Sequence, residues 1–275
     1  MHNDNRIPRV GIIIPLRAKC NSRNWDETSF ALKRTLDSIA WQTSREFDCI
    51  LVGHEPPTFS VKTYEPHNVI FEAVVDRVAN CFLNFHCARE RQKAIDFDKN
   101  DKLLRGLRKL KSSGTYYSHY FALDADDLIS RSFVEYVLSS SMNHGGVLQV
   151  GYAWDTVSDK IWLRKDLDRV CGSTSVLTNK QIPELIEDTA WFRTAHSNMR
   201  RFFCDEVGDD YEPILEPLVC YVHHEDNSSF RYVNMRHNFF IRCLHQVKRS
   251  LIRVRRRGTF QKNFPSVDGG LRRDT

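Results

Sequence analysis

The sequence lacks the cysteine spacings and the long apolar runs that mark several large classes of protein. Its eight cysteines are scattered and form no Cys-x-x-Cys pair, which argues against a zinc ribbon or a thioredoxin motif. Cys49 and Cys220 lie inside apolar segments, where a reduced thiol packs as a small hydrophobe. Apolar runs are only as long as a strand, and the polar residues 1–8 do not resemble a secretory signal. We therefore expect a cytoplasmic protein.

The composition is that of a globular protein, but the charge is unevenly spread. With 275 residues, 41% of them apolar and 27% charged, the chain has the length of one α/β domain with an appendage. Residues 227–275 carry twelve Lys or Arg and two Asp. Their balance of +10 exceeds the net charge of +5, so residues 1–226 carry −5. The basic segment points to an anionic surface as its partner.

This basic segment also carries one apolar stripe, which predicts a helix over residues 238–257. The stripe recurs at helical spacing and comprises Phe240, Leu244, Val247, Leu251 and Val254. Such a helix either docks on an anionic membrane surface or packs its stripe on the acidic body. The first alternative predicts a peripheral protein at the inner face of the membrane.

Apolar runs alternate with helical patterns along the first half of the chain, which predicts an open, mostly parallel α/β sheet flanked by helices. Predicted strands cover residues 10–15, 47–53 and 69–75. A first helix follows Leu32, Leu36 and Ile39, with Thr28 or Ser29 as its cap, and a second runs from Asp101 to Gly114. Further along, we expect a helix over 130–141, a strand over 146–154 that pairs with 161–163, and a strand over 218–222.

Three carboxylates follow the buried strand that begins at Tyr116, namely Asp124, Asp126 and Asp127. Clustered carboxylates repel one another unless a cation neutralises them, and oxygen ligands suit Mg²⁺ or Mn²⁺ bound together with a substrate phosphate. Ligands of open α/β sheets bind at the carboxyl ends of strands. The alternative is a helix N-terminus, where Ser130 is the cap and the acids favour the helix dipole.

Four motifs in order resemble the inverting glycosyltransferases of the GT-A fold, the large family 2 group. The strand Gly11–Pro15 with the helix segment Leu36–Thr43 is similar to that family's opening, and Leu123–Asp127 resembles its Asp-x-Asp motif. Gly208–Glu212 resembles the segment that carries the catalytic base, and Tyr221–Ser229 is similar to the closing histidine motif. The resemblance covers about residues 9–229 and implies the GT-A fold with a basic helical C-terminal extension.

The resemblance implies a role for each matching residue. A Mn²⁺ or Mg²⁺ ion would be held by Asp124, Asp126 and His224, and Asp210 would be the catalytic base. The expected contacts to the nucleotide-sugar come from Pro15, Arg17, Glu55, Lys102, Arg105, Asp124 and Ala125. From the residues alone, a turn or helix start after Gly208 is the favoured interpretation of Asp210, and a solvated basic face is an alternative for Lys102 or Arg105.

The function implied is transfer of a sugar from a nucleoside diphosphate, with a UDP-sugar as the expected donor, to a carbohydrate or lipid-linked acceptor hydroxyl with inversion. We expect a glycosyltransferase domain over residues 1–229, with a donor half at about 9–130 and an acceptor half at about 131–229, and a basic extension over 230–275. The alternatives are a GT-A-like nucleotidyltransferase and a nucleic-acid-binding protein acting through the basic tail. We expect no nucleic-acid partner, since no binding module accompanies that tail.

Overall fold

Two β-sheets organise the chain in the computed structural model, which describes residues 7–82, 85, 87–182, 211–223 and 257–265. The strands are β1 (Arg9–Pro15), β2 (Phe47–Gly53), β3 (Val69–Ala73), β4 (Tyr117–Ala122), β5 (Leu128–Ile129), β6 (Gly146–Leu148), β7 (Gly151–Asp155), β8 (Lys160–Arg164), β9 (Ser175–Thr178), β10 (Glu212–Ile214) and β11 (Val219–His223). The described α-helices are α1 (Trp25–Ala40), α2 (Ala88–Ser112), α3 (Phe133–Ser139) and α4 (Arg257–Asn263).

The larger sheet has seven strands in the order β10-β6-β9-β4-β1-β2-β3. Every neighbouring pair is parallel except the two that involve β9, which runs against β4 and β6. Alternate side chains of β1 fill both faces: Ile12 packs with α1 and α3, and Ile13 packs with α2. The predicted open, mostly parallel sheet flanked by helices is therefore confirmed.

Helix α1 begins earlier than its apolar stripe indicates. The cap is Asn24, whose side chain accepts hydrogen bonds from the backbone N–H groups of Asp26 and Glu27 at 3.1 and 3.3 Å. The predicted caps, Thr28 and Ser29, both lie inside the helix. A short polar side chain that precedes two acids satisfies the first free N–H groups and suits the helix dipole.

Helix α2 begins at Ala88 rather than at the predicted Asp101. Its first half is too polar to show an apolar stripe, so periodicity reveals only the part after Leu103. Gly106 lets the helix approach the sheet, since a Cβ atom there would lie 2.4 Å from the Ile13 Cγ2 atom. Leu103, Leu107 and Leu110 are buried against this face of the sheet.

The strand predicted over residues 146–154 is divided between the two sheets. Its first part is β6 of the larger sheet, and its second part is β7 of a smaller sheet with the order β5-β11-β7-β8. The break lies at Gln149, whose N–H donates to Ile214 O while its carbonyl accepts from Leu167 N. The predicted pairing with residues 161–163 is confirmed, because β7 and β8 are antiparallel across a turn that contains Asp159 at φ 49°. Strand β9 was not predicted.

Gln42 joins the end of α1 to the start of α3. Its side chain donates to Ser130 O at 2.7 Å and accepts from Val134 N at 3.0 Å. Helix α3 therefore begins at Phe133, and the predicted cap Ser130 instead lies before the helix, where its N–H donates to Leu218 O.

The C-terminal helix α4 packs on the smaller sheet. Phe260 and Phe264 are fully buried, with their rings edge-on to Tyr152 at centroid distances of 5.3 and 5.7 Å. Arg131 N donates to Asn263 O at 2.8 Å. Residues 224–256 lie outside the described residues. Whether the apolar stripe of residues 238–257 docks on a membrane or packs on the acidic body therefore stays a prediction. No described helix is both long enough and apolar enough to cross a membrane.

This packing predicts that the end of the chain contributes to stability. Phe264→Ala should lower the free energy of unfolding by about 3–5 kcal/mol, because it removes a buried ring and leaves a cavity. Urea denaturation measures the change, with the exposed Gln261→Ala in the same helix as the control. Equal stability of the two variants would contradict the packing of α4 on the sheet.

Candidate functional site

The candidate site lies where the parallel strands β1, β2 and β4 end. The segment after β4, residues 123–127, is called the acidic turn here. Leu123 N donates to Ile13 O at 2.9 Å, and Thr35 Oγ1 of α1 donates to Ala125 O at 3.0 Å. Sheet and helix thus fix the turn from two sides. This is the edge at which open α/β sheets bind ligands.

Asp127 has a structural environment that differs from its two acidic neighbours. Its side chain is 0% exposed, and it accepts hydrogen bonds from Ser173 Oγ at 2.7 Å, Cys171 Sγ at 3.2 Å and Val222 N at 3.1 Å. Burial, reinforced by the charges of Asp126 and Asp124, raises the pKa of Asp127 well above its ordinary value. The carboxyl of Asp127 therefore ties the turn to β11 and to the segment before β9.

Asp124 and Asp126 each face a basic side chain. Lys99 Nζ of α2 forms an ion pair with the Asp124 carboxylate, and the two side chains are 19% and 25% exposed. The charge of Asp126 acts on the Arg34 guanidinium of α1. The backbone of the turn is also held here, because Asp124 N donates to Ser173 Oγ at 2.9 Å. Lys99 of α2 and Arg34 of α1 thus supply positive charge to the two partly exposed carboxylates.

Arg34 lies between aromatic rings at the border with the smaller sheet. Its guanidinium carbon is 4.8 Å from the Trp154 ring centroid and 5.2 Å from that of Phe30. Burial lowers the pKa of Arg34, and the charge of Asp126 opposes this effect. Cation–π contacts of this kind stabilise a desolvated guanidinium, so the two rings hold Arg34 as a positive charge on which the charge of Asp126 acts.

Lys102, predicted to contact donor phosphates, lies in a buried network. It is 1% exposed and donates to Leu16 O at 2.8 Å and Asp98 Oδ2 at 2.5 Å. Asp98 also accepts from Arg77 and contacts His54 Nε2, at 3.0 and 3.2 Å. Burial acts to raise the pKa of Asp98, but the charge of Lys102 and the hydrogen bonds from its partners lower it overall. The described contacts of Lys102 hold the loop after β1, and its contact with phosphate stays a prediction.

The other predicted donor contacts lie along the same edge. Arg105 pairs with Asp101 at 2.9 Å and with Asp76 at 2.7 Å. Glu55 Oε2 accepts from Lys19 N at 3.0 Å and so joins the ends of β2 and β1. Pro15 and Arg17 are partly buried at the end of β1. Nucleotide contacts by these residues and by Asp124 and Ala125 stay predictions.

The predicted catalytic base and the third predicted metal ligand lie outside the described residues. Asp210 directly precedes the described segment that leads into β10, and His224 directly follows β11. Within the described ranges, no group of three or more His, Cys, Asp or Glu side chains converges as a metal site. Two carboxylates still suit a cation shared with a phosphate, since Mg²⁺ is commonly bound by one or two carboxylates plus substrate phosphates.

Sequence reasoning missed Lys99, Arg34 and the roles of Ser173 and Cys171. Lys99 lies in the half of α2 that shows no periodicity, and Arg34 is one base among several in α1. The Cys171 and Ser173 side chains reach Asp127 across 44 and 46 residues of chain. A local pattern carries no signal for such contacts.

No protein-family model matches the sequence, and no curated protein matches it. S. aureus TarS 1–349 in complex with UDP is similar over 82% of this chain and 63% of its own, with 11% identity and a TM-score of 0.42. The apo-form glycosyltransferase GlyE of Streptococcus pneumoniae TIGR4 is similar over 90% and 65%, with 8% identity and a TM-score of 0.32. A 4-diphosphocytidyl-2C-methyl-D-erythritol synthase is similar over 83% and 97%, with 11% identity and a TM-score of 0.40.

The chain spans less than two thirds of the length of the matched TarS and GlyE chains.

The environment of Asp127 predicts a pH-dependent stability. Folding raises its pKa, so the folded state binds the proton more tightly and loses stability as pH rises above the ordinary value of 3.8. Asp127→Asn keeps an acceptor for Val222 N and carries no charge, so its unfolding free energy should lack this loss. Denaturant titrations from pH 4 to pH 8 measure the difference between variant and wild type, which should grow with pH. The exposed Asp96→Asn is the control, and parallel pH curves for D127N and the wild type would contradict the assignment.

Proposed function

We propose that the protein transfers a sugar from a nucleoside-diphosphate donor, with UDP as the expected nucleotide, to an acceptor hydroxyl with inversion. The observation that carries the proposal is the acidic turn at the carboxyl ends of β1, β2 and β4. There Asp124 and Asp126 remain partly exposed, while the buried carboxyl of Asp127 accepts hydrogen bonds from Ser173 and Val222. This edge of a parallel sheet suits a nucleotide.

The carboxylates of the acidic turn are ligands that suit a Mn²⁺ or Mg²⁺ ion, and this ion would also bind the diphosphate of the nucleotide-sugar. Asp126 and Asp124 would hold it together with His224, whose ligand role rests on the resemblance. When bound, such an ion supplies positive charge that stabilises the departing diphosphate. The chain's own bases near the turn, Lys99 and Arg34, add positive charge at the same place.

Acceptor activation is assigned to Asp210, also by the resemblance. An acceptor hydroxyl is a poor nucleophile at neutral pH, and a carboxylate within hydrogen-bond reach takes its proton as the oxygen attacks the anomeric carbon. Attack on the face opposite the leaving diphosphate inverts the configuration. The acceptor is proposed to be a carbohydrate or a lipid-linked glycan, handled by the half of the chain after about residue 131.

Within the part of the chain that the structure describes, no specific contact favours either of the two other candidate functions. A nucleotidyltransferase would need a glycine-rich basic loop after the first strand, and residues 17–21 contain no glycine. Nucleic-acid binding through the tail would need a recognisable binding module. Membrane association of residues 238–257 and the division into domains 1–229 and 230–275 stay proposals.

The donor assignment predicts that Asp126→Ala abolishes cation-dependent nucleotide binding, because it removes a charged oxygen ligand. Calorimetry with UDP and Mn²⁺ measures the affinity, and a panel of nucleotide-sugars tested for hydrolysis identifies the donor. The control is Asp96→Ala, an exposed acid on α2. An Asp126→Ala variant that binds UDP with Mn²⁺ as the wild type does would remove the assigned site.

The base assignment predicts a different effect for Asp210→Asn. Donor affinity should be nearly unchanged while kcat falls by about 10²–10⁴-fold, because an amide cannot accept the acceptor's proton. Steady-state kinetics with the donor and acceptor found in the panel measure kcat, and Asp209→Asn is the matched neighbour. Near-normal turnover by the D210N variant would show that another group is the base.

A further inference from the structure

Helix α2 is anchored at the residue that precedes Lys99. Asp98 is buried and is held by Lys102, Arg77 and His54. Because successive helical residues are fixed by the same backbone hydrogen bonds, this anchor also fixes the Cα of Lys99. The Lys99 side chain extends from this position to the Asp124 carboxylate of the acidic turn.

The basic residues of α2 differ in the partners of their described ion pairs. Lys102 is held in the buried network, and Arg105 pairs with Asp101 and Asp76, which lie outside the acidic turn. Among the ion pairs described for α2, only that of Lys99 involves an acid of the turn. A lysine is a compact charge on a flexible four-carbon stem, so its ammonium can move between two nearby anions.

A cation and the Lys99 ammonium compete for the same carboxylate. Both are positive, so they repel each other when both approach Asp124. A bound diphosphate removes the conflict, because it offers the ammonium a second set of anionic oxygens, and lysine is a common phosphate ligand.

On the basis of the proposed function, we propose that Lys99 is the counter-ion of Asp124 in the donor-free protein and transfers to the donor's diphosphate when donor and cation bind. Lys99 then has two effects of opposite sign. It weakens binding of the cation alone, and it strengthens binding of the nucleotide in the presence of the cation. The protein therefore takes up cation and donor together rather than the cation first.

The test is Lys99→Gln, with Lys93→Gln as the matched control, since Lys93 is an exposed residue of the same helix. Electron paramagnetic resonance measures Mn²⁺ affinity without nucleotide, and calorimetry measures UDP affinity at saturating Mn²⁺. We expect Mn²⁺ alone to bind about 5-fold more tightly to the K99Q variant and UDP to bind about 10-fold more weakly, within the usual range of coupling between sites. Lys99→Arg, which keeps the charge, should restore both affinities in part.

The outcomes separate this proposal from the proposed function. If wild-type protein binds no nucleoside diphosphate with any divalent cation, the proposed function fails. If the wild type binds UDP and Mn²⁺ but K99Q behaves like K93Q, or loses both affinities together, only the role of Lys99 fails. A K99Q variant that is unfolded by circular dichroism also overturns the role, because Lys99 would then be a structural residue.

Discussion

The buried carboxyl of Asp127 is the contact on which the site depends. It accepts hydrogen bonds from Val222 of β11 and from Ser173 and Cys171 before β9, so one side chain joins the acidic turn to the smaller sheet and to the antiparallel strand of the larger one. Ser173 extends the connection by accepting from Asp124 N. A buried polar group of this kind is costly unless its partners are in place. The positions of Asp124 and Asp126 at the sheet edge follow from these contacts.

Electrostatics divides the charged residues around this edge into two groups. Lys102, Asp98, Arg77 and His54 form a buried network that holds Leu16 and with it the loop after β1. Lys99 and Arg34 instead face the acidic turn, one on a flexible stem and the other between two aromatic rings. The first group supports the backbone around the site. The second group supplies positive charge where we propose that a diphosphate binds.

The sequence was most informative where structure is local. Runs rich in apolar and aromatic residues predicted β1, β2 and β4, because strands buried on both faces carry mostly apolar side chains. Sequence patterns gave wrong element bounds where contacts between distant segments determine the structure. The strand predicted over residues 146–154 divides at Gln149, whose N–H still bonds to Ile214 of β10 while its carbonyl accepts from Leu167 N, and β7 then joins the smaller sheet. The apolar periodicity did not predict the first half of α2, because the contacts that stabilise it, such as that between Asp98 and Lys102, are polar.

Chain order and the apolar pattern already place three carboxylates directly after a buried strand, at the edge where α/β sheets bind ligands, because both are local properties of the chain. The role of each carboxylate depends instead on contacts between segments that are distant in the chain. Asp127 is structural because its partners come from positions 44 to 95 residues away in the chain. Asp124 and Asp126 face bases from two different helices. Burial and charge pairing depend on which segments contact one another, and these contacts are determined by the packing of the chain as a whole.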